Sequence, residues 1–287
     1  MEIILGKTAG FCYGVKRAVD GSLTQINENK KVYCLGELVH NKQVVSDLKD
    51  KGIIFIENID EVKDTNSKVI IRAHGVHKNI YEIAKNKNIE LIDYTCPKVL
   101  KIHEIVDKYN KDGFYIILTG KESHPEVIGI KSHADNNFSI INDIDETDKA
   151  INDFKNSNIN KLLIISQTTF NTQKFEIIKN KIIEKIPENI NLVINNTICP
   201  ATDIRQKETK EMSTNVDKMI IIGGKNSSNT KKLYEIASKN CKDTIHIEAA
   251  SELKDISFNN CKKVGVMAGA STPMNIIDEI IKKLRLM

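Results

Sequence analysis

Three cysteines occupy matching points of a pattern that recurs along the whole chain. Cys12, Cys96 and Cys199 each follow an apolar, strand-like run (EIIL, ELIDY and NLVINN) and each lead into a helix-like stretch. Counting 28 positions onward, from 12 to 40, 96 to 124 and 199 to 227, each reaches a polar residue closing another apolar run: His40, His124 and Ser227. Second anchors follow at His74, 62 positions from its cysteine, and at Thr168 and Ser271, 72 positions from theirs. Internal repeats constrain architecture before any other feature does. Three equivalent lobes would carry three thiolates and a ring of polar groups to one centre.

The chain has 287 residues, 40% of them hydrophobic and 28% charged, the composition of a globular protein rather than a disordered or fibrous one. Its net charge of +4 is spread along the sequence without blocks of like charge, so no nucleic-acid partner is suggested. No apolar run approaches the roughly 20 residues needed to span a bilayer, and MEIILGKTAG has neither the basic start nor the long apolar stretch of a signal peptide. The expected location is the cytoplasm, with no membrane partner, where thiols stay reduced. Six cysteines then require core filling, metal binding or catalysis.

Apolar runs of four to seven residues alternate with amphipathic stretches: VYCL, IIFI, VII, FYIIL, FSII, LLIIS, MIII, TIHI and VGVMA. Continuous runs of this kind suit parallel strands covered on both faces. Helix candidates between them include Val15–Asn27, Lys98–Tyr109, Asp203–Met212 and Lys231–Ser238. The alternation implies right-handed βαβ units and an α/β fold of three pseudo-symmetric lobes with mostly parallel sheets. Lobe boundaries are expected at 1–88, 89–189 and 190–287, near the polar stretches Lys85–Asn88 and Lys185–Asn189. Parallel sheets gather ligands at the C-terminal ends of their strands. Every cysteine and polar anchor named above lies at such an end.

Free cysteine often serves as a small buried hydrophobe. That reading suits Cys34, inside a strand, and Cys241 and Cys261, which lack the repeated context. Cys12, Cys96 and Cys199 each stand just before a helix, where the backbone dipole favours a thiolate, and Pro97 and Pro200 suit a first helical turn. Structural zinc generally uses four ligands in close pairs such as C-x-x-C, and no such pair is present. Thiolates also select copper(I) and iron–sulfur clusters. A [4Fe–4S] cluster normally takes four thiolates; with three, one iron keeps an open position for substrate.

The loops RAHG (72–75), ESHPE (122–126), SQTT (166–169), GGKNSSNT (223–230) and GAST (269–272) are rich in small hydroxyl residues, glycine and histidine. Such loops opening helices cradle oxyanions through unpaired N–H groups and the helix dipole. Together they describe a pocket for a diphosphate or similar dianion. Glu126 is either a helix-entry acid or, if buried, a proton donor with a raised pKa. His77, His103, His133 and His246 lie outside the repeated positions and read as structural or surface residues.

The segments GFCYGVKRA (10–18), ELVHN (37–41), RAHG (72–75), TCPKV (95–99), HPEV (124–127), SQTT (166–169), NTICPATDIRQ (196–206), GGKNSSNT (223–230) and GASTP (269–273) resemble, in order, those of the IspH/LytB family of 4-hydroxy-3-methylbut-2-enyl diphosphate reductases. The resemblance implies a trefoil of three α/β lobes around a [4Fe–4S] cluster held by Cys12, Cys96 and Cys199. It implies the last reaction of the non-mevalonate isoprenoid pathway: reductive removal of an allylic hydroxyl as water, giving isopentenyl and dimethylallyl diphosphates. His40, His74, His124, Ser227, Ser228, Asn229 and Ser271 would bind the diphosphate, Thr168 the substrate hydroxyl, and Glu126 would deliver protons. A ferredoxin or flavodoxin is implied as electron donor. Two positions depart from the family pattern: Ser123 where glycine is common, and Ile130 where threonine is. An RNA-binding extension carried by some relatives is not expected after IIKKLRLM.

Two other classes fit the repeat. One is a quinolinate synthase-like enzyme with three thiolates, whose carboxylate substrates would not require the histidine and NSSN set. The other is a non-enzymatic metal- or nucleotide-binding α/β protein with structural thiols. Iron and sulfide content separates the last from both enzymes, and consumption of an allylic hydroxy-diphosphate separates the two enzymes.

Overall fold

The computed structural model describes residues 1–26, 30–64, 66–259 and 261–287. In chain order it runs β1 (Glu2–Leu5), α1 (Tyr13–Gln25), β2 (Lys31–Leu35), α2 (Lys42–Asp50), β3 (Ile53–Ile56), β4 (Ser67–Ile71), α3 (Asn79–Asn86) and β5 (Glu90–Asp93). Then come α4 (Pro97–Lys111), β6 (Tyr115–Thr119), α5 (Pro125–Lys131), β7 (Phe138–Ile141), α6 (Thr147–Asn156), β8 (Lys161–Ser166), α7 (Thr172–Lys185) and β9 (Asn191–Ile194). The last part is α8 (Pro200–Ser213), β10 (Lys218–Ile222), α9 (Ser228–Asn240), β11 (Thr244–Ile247), β12 (Lys263–Ala268) and α10 (Met274–Leu284). The four helices expected from the sequence are α1, α4, α8 and α9, starting one to three residues earlier than the apolar periodicity indicates; Asn27, the expected end of the first, lies outside the described residues.

Local chemistry accounts for the boundaries. Proline opens α4, α5 and α8, where its missing N–H has no intrahelical partner to lose. Asn41 and Asn171 cap α2 and α7 through side-chain oxygens that accept from Val44 N (3.1 Å) and Lys174 N (2.9 Å). Left-handed residues stop α3 and α6 at Asn88 (φ 55°) and Asn158 (φ 56°), a conformation that asparagine tolerates.

Among the described residues the strands form three four-stranded sheets, ordered β3-β2-β4-β5, β7-β6-β8-β9 and β11-β10-β12-β1, with every pairing parallel. The α/β class and the three parallel sheets are as the sequence implied. The three orders are the same order. In the third sheet the outer place held elsewhere by β5 and β9 is taken by β1, with Glu2 opposite Lys263 and Leu5 opposite Val266. Each repeated cysteine therefore follows an outer strand: Cys12 after β1, Cys96 after β5 and Cys199 after β9.

Period-2 alternation sorts the central strands' side chains onto two apolar faces. Tyr115 and Ile117 of β6 pack with Phe154, Phe175, Ile178 and Ile182, while Ile116 and Leu118 pack with Ile102, Val106, Val127 and Ile130. In the third sheet Ile220 and Ile222 face Ile276, Ile277 and Ile280 of α10, and Met219 and Ile221 face Leu233 and Ala237 of α9. Burial of each such side chain stabilises the fold by about 1.5–3 kcal/mol.

By internal contacts the chain divides into two compact units: one of Met1–Leu23, Glu37–Gly52 and Pro200–Met287, the other of Thr24–Gly36 and Ile53–Cys199. Among the described residues, no helix is long and apolar enough to cross a membrane.

Candidate functional site

The loops that carry the polar anchors all leave the C-terminal ends of central strands. His40 follows β2, His74 follows β4, His124 follows β6, Thr168 follows β8, Ser227 follows β10 and Ser271 follows β12. The cysteines are tied to these loops by one repeated hydrogen bond. Cys12 N donates to Ala270 O (3.1 Å), Cys96 N to Ala73 O (3.0 Å) and Cys199 N to Thr168 O (2.9 Å). Each cysteine backbone is thus pinned to an anchor residue, Thr168, or to the neighbour of one, Ser271 or His74. None of the three thiols is in a disulfide, and all three are partly exposed, whereas Cys34 and Cys241 are buried.

In the unit that contains both chain termini, the anchors are Cys12, His40, Ser227, Ser228, Asn229 and Ser271. Ser271 Oγ donates to His40 O (3.2 Å). Ser227 caps α9, its Oγ accepting from Thr230 N (3.3 Å). A Cβ on Gly224 would stand 2.4 Å from His40 O, so only glycine lets the 223–230 loop approach that backbone. Gly224→Ala is expected to destabilise the fold by about 1–3 kcal/mol through overpacking, measured by urea unfolding. The side chain of Asn229 is 4% exposed, yet among the described residues neither its Nδ2 nor its Oδ1 has a hydrogen-bond partner. An unmet buried amide costs about 1–3 kcal/mol, a cost that a polar ligand would remove. His246, read from sequence as structural, supports this loop: its Nε2 donates to Gly223 O at 2.8 Å. It lies on β11, outside the repeated positions, and no sequence signal marks it.

The other unit holds His74, Cys96, His124, Glu126, Thr168 and Cys199. His124 caps the short helix α5, its Nδ1 accepting from Glu126 N (3.1 Å), which leaves the proton of a neutral ring on Nε2. The His74 and His124 rings meet edge to face, 5.4 Å between centroids. Glu126 is 1% exposed, and Thr168 grips its carboxylate twice: Thr168 N donates to Oε1 and Thr168 Oγ1 donates to Oε2, each at 2.7 Å. Burial pushes the Glu126 carboxyl up to about 7 against the opposite pull of these two hydrogen bonds. His103 and His133, read as structural, stack at 4.4 Å, and His133 Nδ1 lies 2.9 Å from Asp107 Oδ2. Of the two departures from the family pattern, Ser123 is exposed and Ile130 is fully buried in the apolar layer with Val127.

The raised Glu126 carboxyl has a consequence for stability. A folded-state pKa above the ordinary carboxylate value means that the folded protein binds more protons between about 4.5 and about 7. Stability is then expected to fall as pH rises through that window, by at most about 3 kcal/mol. Denaturant unfolding of metal-free protein at pH 5 and pH 8 measures it, and Glu126→Gln is expected to flatten the difference.

Within its own unit, a buried carboxyl raised toward neutrality and hydrogen-bonded to a hydroxyl has the chemistry of a proton donor. A family model described as LytB protein matches residues 3–285. A 4-hydroxy-3-methylbut-2-enyl diphosphate reductase of Thermoanaerobacter sp. (strain X514) is 42% identical over 288 residues, covering 99% of this chain and 97% of its own. A reductase of the same name from Clostridioides difficile (strain 630) is 41% identical, covering 98% of each chain. Among solved structures, (E)-4-hydroxy-3-methyl-but-2-enyl diphosphate reductase, described as the terminal enzyme of the non-mevalonate pathway, aligns with TM-score 0.70 and 36% identity over 100% of both chains. The Plasmodium falciparum E-1-hydroxy-2-methyl-but-2-enyl-4-diphosphate reductase aligns with TM-score 0.86 and 30% identity, over 98% of this chain and 87% of that one.

Proposed function

This chain belongs to the LytB protein family, and on that premise we propose that it reduces 4-hydroxy-3-methylbut-2-enyl diphosphate to isopentenyl and dimethylallyl diphosphates. The balanced reaction takes up two electrons and two protons and releases the allylic hydroxyl as water. The observation that carries the reading is the buried Glu126 carboxyl held by Thr168, a proton donor already in contact with a hydroxyl that can pass the proton on.

Cys12, Cys96 and Cys199 would hold a [4Fe–4S] cluster. The donor set fits: three free, partly exposed thiols, each at the start of a helix and each with its backbone pinned by the same hydrogen bond. Bound there, the cluster supplies electrons and a Lewis-acidic iron. Counted along the chain, the stretches 1–88, 89–189 and 190–287 proposed as lobes carry one of these cysteines each.

The remaining work belongs to the protein's own groups. His40, His74, His124, Ser227, Ser228, Asn229 and Ser271 bind the diphosphate; the unsatisfied Asn229 amide and the Nε2–H of His124 are donors suited to its oxygens. Thr168 Oγ1 orients the substrate hydroxyl. With Glu126 protonated, its O–H donates to Thr168 Oγ1, whose own proton then turns toward the leaving oxygen, so one proton moves along the pair and Glu126 ends ionised. Electrons come from a ferredoxin or flavodoxin, and the setting is the reducing cytoplasm.

The test is an anaerobic assay of cluster-loaded protein with reduced viologen dye and the hydroxymethylbutenyl diphosphate. Substrate-dependent dye oxidation yielding the two diphosphate products is the expected result. An intact cluster without turnover overturns the substrate assignment.

A further inference from the structure

Helix α8 is buried by the wrong kind of residue for a core helix. Its buried side chains are Thr202, Arg205, Gln206, Thr209 and Ser213, all polar, whereas α10 buries Ile276, Ile277, Ile280 and Leu284. Hiding polar groups costs free energy unless hydrogen bonds replace those to water. Apart from Met212, which packs against the cluster around Met219 and Leu233, apolar burial does not explain the face that α8 turns inward, and hydrogen bonds account for part of it.

The bonds of Arg205 and Glu208 go to the segment leading to Cys12, while Thr209 Oγ1 and Ser213 Oγ donate to carbonyls of α8 itself. Arg205 is 4% exposed; its Nε donates to Thr8 O and its Nη2 to Gly10 O, each at 2.8 Å. Glu208, three residues on and so on the same face of the helix, accepts from Lys7 N (2.5 Å), Thr8 N (3.0 Å) and Thr8 Oγ1 (2.5 Å). The guanidinium holds the carbonyl side of residues 8–10 and the carboxylate holds the amide side of residues 7 and 8. Beyond this grip the chain turns through Gly10, at φ +101°, and reaches Cys12, whose N–H is pinned to Ala270 O.

We propose that Arg205 and Glu208 are positioning residues, a two-sided clamp that sets the Cys12 loop in its ligand-presenting conformation before any cluster is bound. This rests on the assignment of Cys12 as a cluster ligand. Neither residue enters the chemistry. Because α8 begins at Pro200, immediately after Cys199, the clamp makes the placement of one cysteine depend on the helix that another one starts. Arginine suits the place because its rigid planar fork presents Nε and Nη2 to two carbonyls at a fixed spacing, whereas lysine offers one flexible point charge.

The test is amide hydrogen exchange on metal-free protein, comparing the natural chain with Arg205→Lys, Glu208→Gln and Thr8→Val. Exchange across residues 7–12 is expected to accelerate by about 10-fold or more in each, the scale of one or two lost hydrogen bonds, with β10 and β12 unchanged. After loading with iron and sulfide, the same variants are expected to release iron to a chelator faster by a similar factor. Unchanged exchange at 7–12 overturns the clamp, and so does an equal loss of protection across β10 and β12, which makes α8 an ordinary supporting helix. Should Arg205→Lys fail to fold, Thr8→Val decides the question, since it removes a single hydroxyl. Failure of the natural chain to hold iron refutes the cluster reading and leaves the exchange result to judge the clamp.

Discussion

Serine at Cys12, Cys96 or Cys199, introduced one at a time, is expected to abolish retention of iron and sulfide and with it reductase turnover. Serine at Cys34, Cys241 or Cys261 is expected to leave both near the natural level. For Cys34 and Cys241 the contrast follows from burial; Cys261 is partly exposed but lacks the repeated place ahead of a helix. A metal is bound by thiolate rather than thiol. Cys12, Cys96 and Cys199 are partly exposed at helix starts. Cys34 is buried in β2, and its thiol is pushed up to about 12 by desolvation despite the opposing field of Arg72. Its Sγ donates to Gly36 O (3.3 Å), a bond that a serine hydroxyl can repeat. Iron and sulfide analysis of the six variants decides the set. Full retention after replacement of any one of the first three removes it from the ligands.

Glu126→Gln is expected to give a folded, cluster-bearing protein whose turnover falls by at least about 100-fold, the scale of losing a general acid. Glutamine keeps the shape and can still accept from Thr168, so binding and fold are little disturbed while the transferable proton is gone. The pH profile should carry the same signature. With the carboxyl raised to about 7 by burial, the protonated donor is present below that pH and lost above it. Turnover of the natural chain should therefore decline on the alkaline side of about 7, and that limb should be absent from what activity remains in the variant. Near-normal turnover in Glu126→Gln would return Glu126 to the lesser role of a helix-entry acid.

The features that could be read in advance are those written locally. The Ile- and Val-rich runs name the strands because period and β-branching act within a few residues. Cys12, Cys96 and Cys199 announce helix starts because a strand end, a small polar segment and, in two cases, proline stand together there. The equal spacing to His40, His124 and Ser227 reflects one supersecondary unit repeated, and the three sheets do share one strand order. Arg205 and Glu208 were not legible. A helix with polar residues on every face gives no sign of which face is buried, and their partners at Lys7, Thr8 and Gly10 lie at the other end of the chain.

By itself the sequence determined the α/β class, the parallel strands, the cysteine-bearing helix starts and the family. Only the tertiary structure decided that β1 completes the sheet of β12, since a four-residue strand carries no information about a partner more than two hundred residues away. It alone decided the state of Glu126 as well. A carboxyl's pKa depends on how much water surrounds it and on which donors face it, and both are set by Thr168, far along the chain, and by the packing that closes over the pair.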